Sequence, residues 1–284
     1  MSMSEFVASR PFGDAVVTVI SAGTQRWNPH YAITDEERRR AMPEASDDGT
    51  LTIGLNFAHV RLGDASILID PGCDDPSSAW AREFQAKWAV AFTPGLAAGL
   101  ERIGVAPESV THVLITHAHE DHYAGVTAER GGVLALRFPR ARHFVGRRDW
   151  EEHPARHQPD SALVRRLGLT DRHGLLEMVD REREIVPGVT MISAPGETPG
   201  HCIVRVESLG RRFYYLGDLI DMLCVFDHLD WVSPRRDSQV LPASRRRVLA
   251  EAADCGATLT WTHDDFPAWG RAVRSGTGFR WERI

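Results

Sequence analysis

Three histidines and an aspartate stand close together in the segment Thr116-His117-Ala118-His119-Glu120-Asp121-His122. Neutral imidazoles and carboxylates are the ligands that borderline metal ions such as zinc accept in proteins. A tight loop can turn His117 and His119 toward one ion while Asp121 and His122 turn toward a second. The HxHxDH spacing therefore predicts a metal-binding loop, and the alternative is a solvated histidine-rich turn.

Two ions need more ligands than this loop offers, so the hypothesis requires further histidines or aspartates downstream. Three residues fulfil this requirement. His201 follows a Thr-Pro-Gly turn, Asp218 follows an apolar run that stops at a glycine, and His263 follows another apolar run. Each is weak evidence by itself, because a lone histidine is more often a structural residue. Together they support a two-ion site.

The elements that must position these residues follow from apolar runs and turn residues. Strands are predicted over 15–20, 52–60, 65–69, 110–115, 189–193, 203–206, 212–216 and 258–261. Helices are predicted within 34–48, over 80–88, 95–103 and 241–254, and among exposed loops after a strand in 137–183. The predicted metal loop begins directly after the strand 110–115, and the other candidate ligands also lie near strand ends.

Length and composition limit the classes of protein to which the chain can belong. A chain of 284 residues fits a single domain, 1–284, with its own core. The net charge of -6 leaves no basic stripe, so no nucleic-acid partner is expected. The four cysteines form no CxxC pair, which indicates a reducing cytoplasm, and no apolar run is long enough for a membrane span.

The chain resembles the metallo-β-lactamase superfamily through five motifs that appear in the family's order. They are Ile67-Leu68-Ile69-Asp70-Pro71-Gly72, the HxHxDH loop, Pro195-Gly196-Glu197-Thr198-Pro199-Gly200-His201, Leu216-Gly217-Asp218 and Thr262-His263. The resemblance implies an α/β (α+β) fold, an αββα four-layer sandwich in which helices flank two mixed β-sheets. It also implies that His117, His119 and His201 bind one ion, that Asp121, His122 and His263 bind the other, and that Asp218 bridges them. Asp70 would orient a ligand histidine.

The chemistry implied is hydrolysis by a water molecule that two metal ions activate. Zinc is the expected ion, with manganese, iron and cobalt as alternatives, and no residue is predicted to bind an organic cofactor. Asp121 or Asp218 could also pass a proton to the leaving group. Within the family, the chain most resembles the group of lactonases and methyl-parathion-hydrolase-like enzymes, also in the segment Phe266-Pro267-Ala268-Trp269-Gly270.

Lactonases of that group often place a tyrosine three residues after the bridging aspartate, where this chain has Asp221. Asp221 and the nearby Tyr123 are therefore the remaining catalytic candidates. The expected substrate is a small ester or lactone. Hydrolysis of a phosphotriester or aryl ester is one alternative, and a metal-binding sensor or scaffold without turnover is another. The oligomeric state stays open, a homodimer included.

Aromatic side chains are expected to line the pocket of an enzyme for uncharged esters. The candidates for that wall are Trp27, Phe57, Trp150, Phe226 and Trp231. Arg147 and Arg148 could receive an anionic substrate, but a charged pair in a polar stretch is usually a solvated face.

Overall fold

Two mixed β-sheets form the centre of the protein in the computed structural model, which describes residues 6–92 and 95–284. The described strands are β1 (Val7–Phe12), β2 (Ala15–Trp27), β3 (Leu51–Leu62), β4 (Ala65–Ile69), β5 (Ala91–Phe92), β6 (His112–Ile115), β7 (Thr127–Arg130), β8 (Val133–Leu136), β9 (Arg142–Gly146), β10 (Leu176–Val179), β11 (Glu182–Val186), β12 (Val189–Ser193), β13 (Cys202–Ser208), β14 (Arg211–Tyr215), β15 (Thr258–Thr260), β16 (Gly270–Ser275) and β17 (Gly278–Arg283).

The strand order is β1-β2-β3-β4-β6-β9-β10 in the first sheet, where β5 pairs with β2, and β11 to β17 in sequence in the second. Strands β4, β6, β9 and β10 run parallel to one another. In the second sheet β14 and β15 are parallel, and the other pairs are antiparallel. Strands β7 and β8 form a separate hairpin.

Helices cover the outer faces of both sheets. The described helices are α1 (Asp35–Ala41), α2 (Ala79–Trp88), α3 (Leu96–Arg102), α4 (Glu120–Tyr123), α5 (Arg147–Glu151), α6 (Ala162–Arg165), α7 (Leu167–Arg172) and α8 (Val240–Asp254), with short 3₁₀ turns at Pro107–Ser109, Ala124–Val126, Pro154–His157 and Leu223–Phe226. Within the ranges described, no helix has both the length and the apolar character to cross a membrane.

Three apolar cores separate the four layers. The core between the sheets joins first-sheet residues to second-sheet residues, among them Val17, Val60, Ile67, Met191, Val204 and Phe213. A second core packs the outer face of the first sheet against α2, α3 and α7, through residues that include Phe57, Val113, Phe84, Leu96 and Leu167. The third packs the second sheet against α8, through residues that include Ile203, Tyr214, Val248 and Leu249. The predicted αββα sandwich is confirmed.

The structure differs from the sequence prediction in several places, since strands β1, β5, β7, β8, β10 and β11 were not predicted. The predicted metal loop contains a regular element, because Asp121 and His122 lie in the short helix α4. No element was predicted after His263, where the chain forms the hairpin of β16 and β17. Buried and exposed side chains alternate only in part of this hairpin, because Gly270, Ala272 and Phe279 are its only buried residues.

Candidate metal centre

Apart from His201, the predicted metal ligands meet at one edge of the two sheets because the strands that precede them pair in parallel. Strand β4 ends just before Asp70 and pairs in parallel with β6, which ends just before the HxHxDH loop. Strand β14 ends three residues before Asp218 and pairs in parallel with β15, which ends three residues before His263. Parallel strands bring their carboxyl ends to the same edge, so residues distant in sequence become neighbours.

One group of side chains that could hold a metal ion consists of His117, His119, Glu197 and Asp218. Nε2 of His117 lies 2.8 Å from Nδ1 of His119. The Glu197 carboxylate spans both rings, with Oε2 at 3.3 Å from Nε2 of His117 and Oε1 at 3.4 Å from Nδ1 of His119. Glu197 was quoted in a motif but was not predicted to be a ligand.

A second such group consists of Asp121, His122 and His263. Oδ2 of Asp121 lies 3.9 Å from Nε2 of His122 and 3.7 Å from Nε2 of His263. Asp218 connects the two groups, because its Oδ1 lies 3.3 Å from Nε2 of His122 and its Oδ2 lies 3.1 Å from Nε2 of His263. Oδ2 of Asp218 is also 3.7 Å from Nε2 of His117.

His201 lies beside these groups, with its ring centroid 5.2 Å from that of His117. Its Nδ1 is 3.0 Å from the carbonyl oxygen of Ala194, to which it can only donate. Its Nε2 faces the backbone N–H of Asp218 at 3.2 Å. The role predicted for His201 alongside His117 and His119 stays a prediction.

Carboxylate and carbonyl acceptors orient two of the histidines. Nδ1 of His122 donates to Oδ2 of Asp70 at 2.8 Å, and Nδ1 of His263 donates to the carbonyl oxygen of Gly54 at 2.9 Å. Because the donating nitrogen carries the proton in a neutral ring, the lone pair of Nε2 is left to face the centre. The predicted contact of Asp70 with a candidate ligand histidine is confirmed.

The electrostatics of the centre show an excess of negative charge around His122 and His263. Burial lowers the pKa of His263, but Asp218 and then Asp121 outweigh it and raise the pKa to about 9. The pKa of His122 is likewise raised against burial, by Asp218, Asp70 and Asp121. Burial lowers the pKa of His117 and of His119, which keeps these imidazoles neutral. A cation placed here would compensate the carboxylates without a proton on either ring.

Unpartnered buried atoms test whether the residues fit metal ions. Within the described part of the chain, Nε2 of His122, Oδ1 of Asp218 and Oε2 of Glu197 are buried and make no hydrogen bond. Leaving such groups unpaired is costly in a protein interior. All three atoms belong to side chains in the two groups and are of the types that coordinate zinc and similar ions. The residues therefore fit the metal ions that their pattern predicts.

The centre opens into a cavity of about 490 Å³. The apolar part of its wall includes Trp27, Ile53, Phe84, Trp88, Leu163 and Leu241. Of the five aromatic residues predicted for this wall, only Trp27 lines the cavity. The prediction is wrong for Phe57, Trp150 and Phe226, which are buried in the cores, and for Trp231, which stacks on His228.

Two pairs of arginines have different positions. Arg147 and Arg148 form surface ion pairs with Asp180, Glu151 and Glu152, as expected for a solvated face. Arg235 and Arg236 line the cavity instead, and Nη2 of Arg236 lies 2.6 Å from Oε1 of Glu197. Sequence reasoning missed these two because an arginine pair in a loop carries no periodic signal.

The two remaining catalytic candidates both line the cavity. Asp221 is held by Nη2 of the fully buried Arg245 at 3.0 Å. Tyr123 is 2% exposed, and burial raises the pKa of its phenol. An ion-paired carboxylate and a protonated phenol can both orient a substrate, and their catalytic roles stay predictions.

Asp149 is a further residue that sequence reasoning missed. Its Oδ2 accepts hydrogen bonds from the Ala118 backbone N–H at 2.9 Å and from Oγ1 of Thr198 at 2.7 Å. Its Oδ1 accepts one from the Gly200 N–H at 2.6 Å. It thereby joins the HxHxDH loop to the turn before His201. Asp149 lies in a charged run of α5, where nothing local distinguishes it from its exposed neighbours.

The chain has relatives among known proteins. A sequence model of the metallo-beta-lactamase superfamily matches residues 56–255. An N-acyl homoserine lactonase from a Bacillus species is 28% identical over 109 residues, which are 38% of each chain. A probable metallo-hydrolase from Mycobacterium tuberculosis is 26% identical over 177 residues, 56% of this chain and 54% of the relative. The matches thus span about two fifths to about half of these curated relatives.

Solved structures share the fold over nearly the whole chain. The dizinc quorum-quenching lactonase AidC, in complex with a product, is 20% identical with a TM-score of 0.77 over 99% of this chain and 98% of its own. The hydrolase AbOPH of the beta lactamase superfamily is 21% identical with a TM-score of 0.80 over the same shares. The family match spans the first four of the five motifs and both candidate ligand groups except His263. The chain belongs to the metallo-beta-lactamase superfamily.

Proposed function

We propose that the protein is a metal-dependent hydrolase that binds two divalent ions and cleaves a small ester or lactone. The observation that supports this most is the position of Asp218. Its Oδ1 faces His122, which belongs to one candidate ligand group. Its Oδ2 faces both His263 of that group and His117 of the other group. One buried carboxylate shared by two groups is an arrangement suited to a pair of ions about 3.5 to 4 Å apart.

His117, His119 and His201 would hold one ion, Asp121, His122 and His263 would hold the other, and Asp218 would bridge them. Zinc is the ion we expect, because imidazole and carboxylate ligands suit it, and manganese, iron or cobalt are alternatives. When bound, such ions polarise a carbonyl or phosphoryl oxygen and make a water molecule acidic near neutral pH.

The chain's own residues position the substrate and handle protons. The apolar wall of Trp27, Phe84 and Trp88 can hold an acyl or alkyl group and keep water away from it. Asp121 and Asp218 also line the cavity, so either carboxylate can pass a proton to the leaving oxygen. The phenol of Tyr123 keeps its proton and can donate to an oxygen of the substrate.

The named relatives support the choice of substrate class. The lactonase from Bacillus and the lactonase AidC both act on lactones according to their names, and the probable metallo-hydrolase supports the broader class. A volume of about 490 Å³ suits a small molecule better than a polymer.

The test is an assay of purified protein, reconstituted with zinc, manganese or cobalt, on panels of lactones, aryl esters, phosphotriesters, thioesters and β-lactams. We expect two equivalents of bound metal and turnover of a lactone or ester. His119→Ala should lower turnover at least about 100-fold, because it removes a ligand. The matched control is His173→Ala, which changes a histidine that is exposed at the end of α7.

Each other outcome favours a different reading. Preferential turnover of phosphotriesters or aryl esters would select that alternative within hydrolases. Two bound ions without turnover of any substrate class would favour a metal-binding sensor or scaffold. Full activity of His119→Ala, or of the protein stripped of metal, would refute the proposal.

A further inference from the structure

Glu197 is a buried carboxylate whose surroundings differ from those of an ordinary ion pair. Its side chain is 3% exposed, with Oε2 at 3.3 Å from Nε2 of His117 and Oε1 at 3.4 Å from Nδ1 of His119. Nη2 of Arg236 lies 2.6 Å from Oε1, on one side of the carboxylate. Neither Oε1 nor Oε2 makes a hydrogen bond among the described residues.

The contact with Arg236 does not account for the position of both carboxylate oxygens. A carboxylate that served only to hold an arginine would be expected to direct both oxygens at the guanidinium, since the bidentate geometry is the stronger one. Here Oε2 faces Nε2 of His117, and that nitrogen lies 2.8 Å from Nδ1 of His119. Oε2 is therefore a possible metal-ligand atom that lies beside the unprotonated nitrogens of two neutral imidazoles.

Distances among these atoms match a shared ligand sphere. The candidate donor atoms of His117, His119, Glu197 and Asp218 all lie within 4.8 Å of one another. Donors about 2.0 to 2.2 Å from one ion lie at most about 4.4 Å apart. Oε2 of Glu197 lies 3.3 Å from Nε2 of His117, and Oε1 lies 3.4 Å from Nδ1 of His119, so this carboxylate can share an ion with both rings. Nε2 of His201, by contrast, faces the N–H of Asp218.

We propose that Glu197 is a metal ligand, which adds a carboxylate to the ion held by His117 and His119. This rests on the proposed two-ion function and extends it. The ion pair with Arg236 is then an additional contact of Glu197, on which binding of the ion does not depend. Carboxylate oxygens suit harder ions such as manganese better than imidazole nitrogens do, so Glu197 shifts the preference of this position toward manganese relative to an all-histidine position.

The test compares Glu197→Gln with the unchanged protein by metal analysis, by calorimetric titration with zinc and with manganese, and by the visible absorption of the cobalt-loaded form. We expect Glu197→Gln to bind one of its two ions at least about tenfold more weakly. The loss should be larger for manganese than for zinc, and the cobalt absorption should change in band position and intensity. Circular dichroism shows whether the variant folds.

Two further variants separate a ligand from a structural partner of Arg236. Arg236→Met keeps the carboxylate, so it should bind both ions with affinities within about threefold of the unchanged protein. Glu152→Gln, a carboxylate in a surface pair with Arg148, should change nothing. Equal metal loss in Glu197→Gln and Arg236→Met would overturn the proposal, as would unchanged affinities and cobalt spectrum in Glu197→Gln. If the unchanged protein itself bound fewer than two ions, the proposed function would fail instead.

Discussion

At the scale of single residues, the orientation of each histidine matters as much as its presence. Asp70 accepts three hydrogen bonds, from the Thr116 N–H at 2.7 Å, from Oγ1 of Thr116 at 2.7 Å and from Nδ1 of His122 at 2.8 Å. The first two hold the carboxylate in place, and the third fixes the ring of His122. A ligand whose outer nitrogen is held in this way loses less freedom when it binds an ion.

Asp70→Asn tests this orientation. An amide NH₂ in place of Oδ2 cannot accept the proton of His122, so we expect the ion bound by that histidine to be held about 10 to 100 times more weakly. Asn tolerates the left-handed φ of 51° found at this position, so backbone strain should not contribute.

Competition with a chromophoric chelator measures the affinity of each ion in Asp70→Asn. Asp180→Asn, on the surface beside Arg147, is the control and should bind both ions normally. Wild-type affinities in Asp70→Asn would show that Asp70 only supports the turn in which it lies.

At the scale of elements, short turns after the strands are held to each other by close backbone approaches. A Cβ on Gly146 would lie 1.8 Å from the carbonyl oxygen of Gly200, and one on Gly200 would lie 2.4 Å from the backbone nitrogen of Asp149. The end of β9 and the turn before His201 therefore touch backbone to backbone. Asp149 joins both to the HxHxDH loop.

Asp149→Ala should disconnect these turns. Asp149 is 2% exposed and accepts three hydrogen bonds, so the substitution would leave their three donors unpaired. Because each unpaired buried donor costs about 1 to 3 kcal/mol, we expect the free energy of unfolding to fall by about 3 kcal/mol or more.

Urea denaturation of the metal-free protein measures that loss without a contribution from bound ions. Asp180→Ala removes only an exposed ion pair with Arg147 and should leave the free energy of unfolding nearly unchanged. A loss in Asp149→Ala no larger than in this control would mean that the three hydrogen bonds are replaced by water.

At the scale of the whole molecule, the candidate ligands come from both sheets. His117, His119, Asp121 and His122 follow a strand of the first sheet, and Asp218 and His263 follow strands of the second. Bound ions would therefore connect the two halves of the sandwich at one edge. Any ligand that binds only the folded protein stabilises it by mass action.

Removal of metal should lower the melting temperature of the protein. An ion present at 100 times its dissociation constant contributes about 2.7 kcal/mol, which corresponds to a fall of about 5 °C or more in a chain of this size. Differential scanning calorimetry with and without a chelator measures the change. His119→Ala, already short of a ligand, should show a smaller fall, and identical melting temperatures of the unchanged protein in both conditions would contradict bound ions.

Sequence alone determined the features that depend on local order along the chain. The spacing of His117, His119, Asp121 and His122 after a β-branched run indicated both a metal site and its place at a strand end. The positions of Asp218 and His263 after strand ends followed from the same reasoning, because an apolar run that stops at polar residues indicates the end of a strand. Eight of the described strands and the helices α1, α2, α3 and α8 could be predicted for that reason, whereas the sandwich followed from the resemblance to the superfamily.

Only the tertiary structure decided which other side chains meet the site. Glu197, Arg236 and Asp149 are separated by tens of residues from the histidines that they contact or support, and no period in the sequence relates them. The same holds for the cavity wall, because Phe57 and Trp150 are buried in the core whereas Trp88 lines the cavity. Which face of an element is buried depends on the layer that packs against it, and packing between layers is a long-range property.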